Sequence, residues 1–261
     1  SISYDNMGEI YANQHYKRLM ARVNNTYKVS DKLAADFDMS YVYSKEERPN
    51  INPIWEAIRF APIYAAFWED GRIADGKTGS NAYAKLHYGG TDNTWKNVLN
   101  GRVAMHYTPV KGLKLSAIVA PNVSFNKRKK FVKQIPYYSP EDPNVFMGYM
   151  SGFATTNLAE YRTDEVALTK QFLANYQNDF GKHSVNALVG YEDFYTKNEL
   201  VKATGDYFEL MDFPYLDLAP TDFQKANGSA YETSYRSYFG RVMYDYANKY
   251  FLQANIRYDG S

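Results

Sequence analysis

Residues 238–259 read YFGRVMYDYANKYFLQANIRYD, and the fold is decided there. Tyr250, Leu252, Ala254, Ile256 and Tyr258 alternate with Phe251, Gln253, Asn255, Arg257 and Asp259. Just before them, Tyr238, Gly240, Val242, Tyr244 and Tyr246 alternate with Phe239, Arg241, Met243 and Asp245. A period of two suits only a β-strand, whose side chains point in turn to opposite faces. Only Ala247, Asn248 and Lys249 separate the two runs, so they fold back as an antiparallel hairpin. One face is apolar and ends in tyrosines, while the other is charged and hydrated. A membrane β-barrel needs a hairpin of this kind.

Moving outward, the same two-faced pattern recurs over residues 16–28, 33–43, 97–107, 113–125, 163–179 and 184–196, with the tail of one more strand at 1–5. In 163–179, Lys170 interrupts an apolar face made of Val166, Leu168, Phe172, Ala174 and Tyr176. The reading gives nine strands. Their connections alternate between turns of a few residues, at Ser30, Pro109, Gly181 and Asn248, and long irregular segments over 46–92, 126–162 and 198–230. Short periplasmic turns and long extracellular loops are the outer-membrane barrel arrangement. Strands of ten or more residues also exceed the usual five or six of a sandwich. The expected fold is all-β, part of a large antiparallel up-and-down transmembrane β-barrel with about nine strands. Nine strands do not close so wide a barrel, and open edges do not survive in lipid. Residues 1–261 are therefore expected to be part of one barrel domain, with both ends cut and further strands supplied from outside. A soluble sandwich or barrel is the alternative.

Composition narrows the function. The chain has 261 residues, a net charge of +1, no cysteine, 26 tyrosines and 15 phenylalanines. The charge balance gives no global field toward nucleic acid. Without cysteine there is neither a disulfide framework nor a thiolate zinc site. No apolar run is long enough for a transmembrane helix, which leaves a barrel open. The four histidines, His15, His87, His106 and His183, are scattered without metal-ligand spacing, and no phosphate loop or nucleophile elbow occurs. Asp36 and Asp38 share a strand face as paired glycosidase carboxylates could, but in a barrel wall they hydrate the lumen. No enzyme, cofactor or metal is expected.

Three longer stretches carry a resemblance. SYFGRVMYDYANKYFLQANIRYDGS, DFGKHSVNALVGYE and NPIWEAIRFAPIYAAFWEDGRI resemble the SusC/RagA family of TonB-dependent outer-membrane transporters of Bacteroidetes. The early run SISYDNMGEI with YKRLMARVNNTYKV fits that family's first barrel hairpins. The resemblance extends over essentially the whole chain and is most specific at its end. It implies an outer-membrane importer of large nutrients, with a glycan or peptide oligomer as cargo. It further implies a SusD-like surface lipoprotein as lid, and TonB engaged through a region outside this sequence. The plug domain likewise lies outside it. A passive structural or adhesive surface β-protein is the competing reading.

Three groups of residues stand out as candidates. Arg18, Arg22, Asp36, Asp38, Arg102, Arg241, Arg257 and Asp259 fall on the polar face, where they could pair with a plug or simply hydrate the wall. Lys127, Arg128, Lys129 and Lys130 follow a strand at the expected outer rim, where they could meet lipopolysaccharide phosphates or remain a solvated charge run. Trp55, Tyr64, Trp68, Tyr137, Tyr138, Tyr207, Phe208, Phe213 and Tyr215 lie in the long loops. Such rings stack on sugars, anchor a lid, or pack the loops together. Asn52-Pro53 reads as a helix start, with Ile54, Ala57, Ile58 and Ala61 forming one apolar, packed face.

Overall fold

The computed structural model describes residues 1–8, 10–77 and 79–260. Nine strands form one antiparallel sheet: β1 (Ile2–Gly8), β2 (His15–Lys28), β3 (Leu33–Pro49), β4 (Gly90–Tyr107), β5 (Leu113–Val132), β8 (Asn157–Phe180), β9 (His183–Asp206), β10 (Gln224–Tyr246) and β11 (Tyr250–Gly260). Each pairs with its neighbour in the chain. Between β5 and β8 a small second sheet pairs β6 (Pro136–Tyr138) with β7 (Phe146–Tyr149). Among the described residues the large sheet is open, with β1 and β11 at its edges.

The expected strands are present but longer than the sequence suggested, and the loops are correspondingly shorter. The irregular segments shrink to 50–89, 133–156 and 207–223. Near the long-loop rim both faces turn polar, so hydrophobic alternation vanishes while the backbone ladder continues. On β9, for example, Thr196 and Asn198 face one way and Lys197 and Glu199 the other, with Lys197 bridging Glu199 at 2.9 Å. The four short turns lie at one rim and all three long segments at the other. At the shortest turn, Gly181 (φ 65°) takes up the left-handed conformation that glycine tolerates.

Pro121 sits inside a central strand, where a missing N–H breaks the ladder. The β4–β5 pairing is interrupted there, and the ring lies against Gly101, whose absent side chain leaves room for it.

The loops have their own small cores. Helix α1 (Pro53–Arg59) begins where expected: the Asn52 side chain accepts from the Trp55 N–H at 3.1 Å, with proline in the first turn. It buries no residue, however, and Ile54 and Ile58 are exposed, so the packed face expected of it is absent; Ala61 lies beyond its end. A second helix, α2 (Ala82–Tyr88), carries the packing instead. Its Ala84 joins Ile135, Met150 and Phe153 in a cluster that unites the first and second long loops.

Candidate functional site

Cross-strand partners share a face, so the register fixes which residues look inward together. The row Ala34–His106–Ser116–Leu173–Gly190–Phe239–Arg257 crosses the sheet on one side. Its neighbour, Leu33–Tyr107–Leu115–Ala174–Val189–Gly240–Ile256, crosses on the other. All eight residues expected on the polar face lie there, but the structure divides them by partner. Arg102 donates to Asp38 at 2.9 Å and lies 3.9 Å from Asp36, while Asn24 and Thr26 donate to Asp38 and Asp36. Arg257 bonds Asp259 at 2.8 Å, Ser237 at 2.8 Å and Glu192 at 3.1 Å, and its guanidinium lies over the Phe239 ring. Among the described residues, Arg18, Arg22 and Arg241 make no ion pair, and the Arg241 Nε is buried without a partner.

Sequence reading missed a role for His106. One ring nitrogen meets the Asp36 carboxylate at 2.9 Å and the other meets the Ser116 hydroxyl at 2.8 Å. The connectivity is that of a Ser-His-Asp relay, but the surroundings are wrong for catalysis. Ser116 sits mid-ladder between β4 and β8, so its backbone is committed to the sheet and no free pair of N–H groups forms an oxyanion hole. Cross-strand partners of these types, one residue out of phase with the apolar face, would have been the sequence signal for this network.

The basic run at Lys127–Lys130 is not a loop. It lies within β5, and its residues alternate between faces. Arg128 turns inward and grips Asp92 through two bonds of 2.7 and 2.6 Å, with Lys130 on the same face. Lys127 and Lys129 turn outward. Lys129 pairs with Glu160 at 3.3 Å and lies over the Tyr215 ring at 4.7 Å, whereas Lys127 lies over Trp95 at 5.1 Å. A single four-cation cluster therefore does not exist.

The loop aromatics also divide. Phe208 is buried against Phe131, Leu158 and Ala219, and its N–H donates to the buried Thr156 hydroxyl at 2.5 Å. As an anchor of the third loop it is unable to touch cargo or lid, which corrects the expectation placed on it. Tyr137 is half-buried beside the first cluster, and Tyr64 and Trp68 are half-buried. Trp55, Tyr138, Tyr207, Phe213 and Tyr215 remain exposed.

Two buried side chains hold the first loop in one shape. Asn81 donates to the Ala66 and Ala74 carbonyls, both at 2.8 Å, and accepts from the Ala84 N–H. Lys85 reaches Glu56 at 3.1 Å and the Ser80 hydroxyl at 2.9 Å, lining a cavity of about 280 Å³ with Arg59 and Lys77. Across the loops, Arg72 donates to the Ser139 and Pro140 carbonyls. The neighbouring Asp70 carboxyl lies below its usual range because the Arg72 backbone N–H and then its side chain bond to it.

Strand length, alternation and one-sided loops define the sheet as part of the wall of a large antiparallel up-and-down β-barrel. Comparison with known proteins specifies which kind. No family model matches the chain. Over its full length it is 24% identical to the TonB-dependent receptor P26 of Formosa agariphila, of which it spans 26%. Over 39% of its length it is 33% identical to the TonB-dependent receptor P3 of the same organism, of which the match covers 10%. Among solved structures it superposes on the RagAB peptide transporter with a TM-score of 0.69 at 18% identity, covering 94% of this chain and 28% of that one. It also superposes on the siderophore receptor PiuA from Acinetobacter baumannii, with a TM-score of 0.54 at 12% identity, covering 99% and 37%. The fold is that of a TonB-dependent receptor barrel wall, and the RagAB likeness agrees with the SusC/RagA resemblance carried by the residues. These relatives are receptors and transporters, not enzymes.

Proposed function

We propose that the chain forms part of the wall of an outer-membrane, TonB-dependent importer of large nutrients, glycan or peptide oligomers, working with a SusD-like surface lipoprotein. The observation that carries this reading is the depth of the outward apolar band. From the short-turn rim, the first outward Lys, Arg, Asp or Glu comes at Lys45 on β3, Lys127 on β5, Lys170 on β8, Asp193 on β9 and Arg236 on β10. Each of these strands therefore shows five to seven uncharged outward positions over about ten to fourteen residues, roughly 25–35 Å of height at a rise of about 3.3 Å and a tilt near 40°. That height matches a hydrocarbon core. Tyr107, Tyr176, Tyr244 and Tyr246 supply aromatic rings at the short-turn edge of the band. Because the same sheet carries a hydrogen-bonded polar network on its other face, it separates lipid from a wet lumen.

Within this reading the residues have distinct parts. Of the eight polar-face candidates, Arg18, Arg22 and Arg241, which make no ion pair among the described residues, are the ones left to meet acidic groups of a plug. Asp36, Asp38, Arg102, Arg257 and Asp259 stiffen the wall through their own network. Trp55, Tyr138, Tyr207, Phe213 and Tyr215 are the exposed rings left for lid or cargo. The test is deletion of the gene for the full-length protein, with uptake of labelled peptide and glycan oligomers followed with and without TonB. The reading predicts energy-dependent uptake that is lost on deletion, together with co-purification of a surface lipoprotein. Recovery of the protein outside the membrane fraction, or uptake unchanged by deletion, refutes it.

A further inference from the structure

Between helices α1 and α2 of the first long loop lies the cavity of about 280 Å³. Lys85 forms its floor, with a side chain only 7% exposed, and bonds one Glu56 carboxylate oxygen at 3.1 Å and the Ser80 hydroxyl at 2.9 Å. The second Glu56 oxygen has no partner among the described residues, and the Ser80 hydroxyl, which accepts from Lys85, keeps its proton to donate. At the mouth stand Arg59, Lys77 and Ser151, all exposed. Neither Arg59 nor Lys77 makes an ion pair among the described residues, and the Arg59 guanidinium lies 5.8 Å from the Trp55 ring. Phe60 supplies one wall. Gly76, at φ 63°, lets the chain close against that ring, since a Cβ there would lie 2.8 Å from Phe60 Cε2. Three cations therefore line the cavity against a single carboxylate, and Asp70 and Asp75 lie outside its lining. At the other end of α1, Pro53 and Ile54 border a second cavity of about 490 Å³, where the inward-facing Arg48, Arg128 and Lys130 meet Asp92. Arg128 takes both Asp92 oxygens and Arg48 reaches Glu46 at 3.4 Å, which leaves Lys130 without an ion pair among the described residues. The seven residues of α1 span about 10 Å, so the two cationic cavities lie within reach of one oligomer.

Cations beside a free acceptor, hydroxyls and an aromatic wall suit a ligand that carries an acid, hydroxyls and a ring face within one small unit. We infer that the cavity between α1 and α2 binds a uronic acid unit of an acidic glycan. Arg59 and Lys77 take the sugar carboxylate, and the free Glu56 oxygen accepts from a sugar hydroxyl. The Ser80 and Ser151 hydroxyls complete the polar contacts, with Phe60 against the ring. Lys85 holds Glu56 and Ser80 toward the cavity. Glu56 decides against an acidic peptide, because an aspartate or glutamate side chain brings a charge without a hydroxyl and is repelled by the carboxylate. The second cavity favours a chain with several acid groups over a single acid. The inference rests on the importer reading and deepens it, since it gives the class of cargo that loops at the outer rim would select.

The experiment uses the full-length protein in detergent, titrated calorimetrically with hexamers of galacturonic acid and of mannuronic acid. The methyl-esterified galacturonate hexamer serves as an uncharged twin, and hexaglutamate as the peptide arm. Arg59→Gln combined with Lys77→Gln is compared with Lys111→Gln combined with Lys182→Gln, two exposed cations of the short-turn rim. Wild type and control should bind at least one uronate hexamer roughly tenfold or more tightly than the esterified twin. The cavity variant should lose roughly five- to thirtyfold of that affinity, and raised salt should narrow the same gap. The inference is overturned if neither uronate hexamer binds more tightly than the twin, or if the cavity variant binds as the control does. Hexaglutamate binding as tightly as the uronates also overturns it, and makes the cargo an acidic peptide. Membrane fractionation and uptake separate the two levels. A protein absent from the membrane fraction overturns the importer reading together with this inference, whereas a membrane-inserted protein that takes up a neutral oligomer with TonB and ignores uronates overturns this inference alone.

Discussion

Placing an arginine at the middle of the outward band tests the assignment of faces most directly. On β4 the outward positions climb from Tyr107 through Met105, Val103, Gly101 and Leu99 to Trp95. At a rise of about 3.3 Å and a tilt near 40°, Val103 lies roughly 10 Å and Leu99 roughly 20 Å above Tyr107, either side of the centre of a band about 30 Å tall. Val103 contacts lipid in this reading, being half-exposed, with Phe37 and Val119 as its register neighbours. Val103→Arg in the full-length barrel should therefore cost about 2–4 kcal/mol, and Met105→Arg less, because its charge snorkels toward the near interface. The wild-type protein already carries the internal comparison: Arg102, one residue away, points inward and is paired with Asp38. Asn186→Arg, on the inward face and removing a side-chain oxygen that has no partner, should cost well under 1 kcal/mol. Equilibrium unfolding from phospholipid vesicles measures all three. A Val103→Arg cost no larger than that of Asn186→Arg would show that the two faces have been assigned wrongly.

Further expectations concern the loops. Phe208→Ala should destabilise the third loop by about 3–5 kcal/mol, measured as local hydrogen exchange, because it empties a buried site against Phe131 and Leu158. Combined Tyr207→Ala, Phe213→Ala and Tyr215→Ala should leave that exchange pattern nearly intact yet weaken lipoprotein co-purification or cargo uptake; if neither changes, recognition lies elsewhere. Asn81→Ala strands two carbonyls and an N–H in the core of the first loop, at about 1–3 kcal/mol for each group left unpaired, and should open the loop to proteolysis. The Asp70 carboxyl is held below its ordinary 3.8, so its bond to Arg72 contributes fully above that pH and is lost as pH falls through the lower folded value. Protease sensitivity of the first loop should accordingly rise only below about pH 4, and Asp70→Asn should abolish that rise.

The strands were legible in the sequence wherever one face stays apolar, because a wall facing lipid, as proposed, needs an apolar residue at every second position. Above the band nothing enforces it, so Glu46–Pro49, Asn126–Val132 and Asn198–Asp206 looked irregular although the ladder runs through them. Lys170 shows the same limit at a single residue. It breaks an apolar face in sequence, yet in the sheet it lies at the band's upper edge, 3.1 Å from Asp193, with Arg236 completing the cluster. Tilt puts the edge at a different residue number on each strand. A one-dimensional pattern carries no information about that slant until the register is known.

The division of the loop aromatics has the same origin, one level up. A ring in an irregular segment has no periodicity to say which way it faces, and Tyr207 and Phe208, adjacent in sequence, have opposite fates. Tyr207 takes a left-handed backbone conformation (φ 62°) that ends β9 and leaves its ring half-exposed against Phe223. Phe208 then drops back onto Phe131 and Leu158, on the outward side of the strand tops, and the Thr156 hydroxyl fastens its backbone. The third loop is thus pinned by one ring and presents others. Pinning lowers the entropy lost when a partner binds, so rings displayed from an anchored loop make better contacts than the same rings on a free one. In the proposed importer, cargo or lid specificity would change through Phe213 and Tyr215 without touching Phe208 or the wall beneath, and substitutions at these two kinds of position should separate cleanly into loss of recognition and loss of structure.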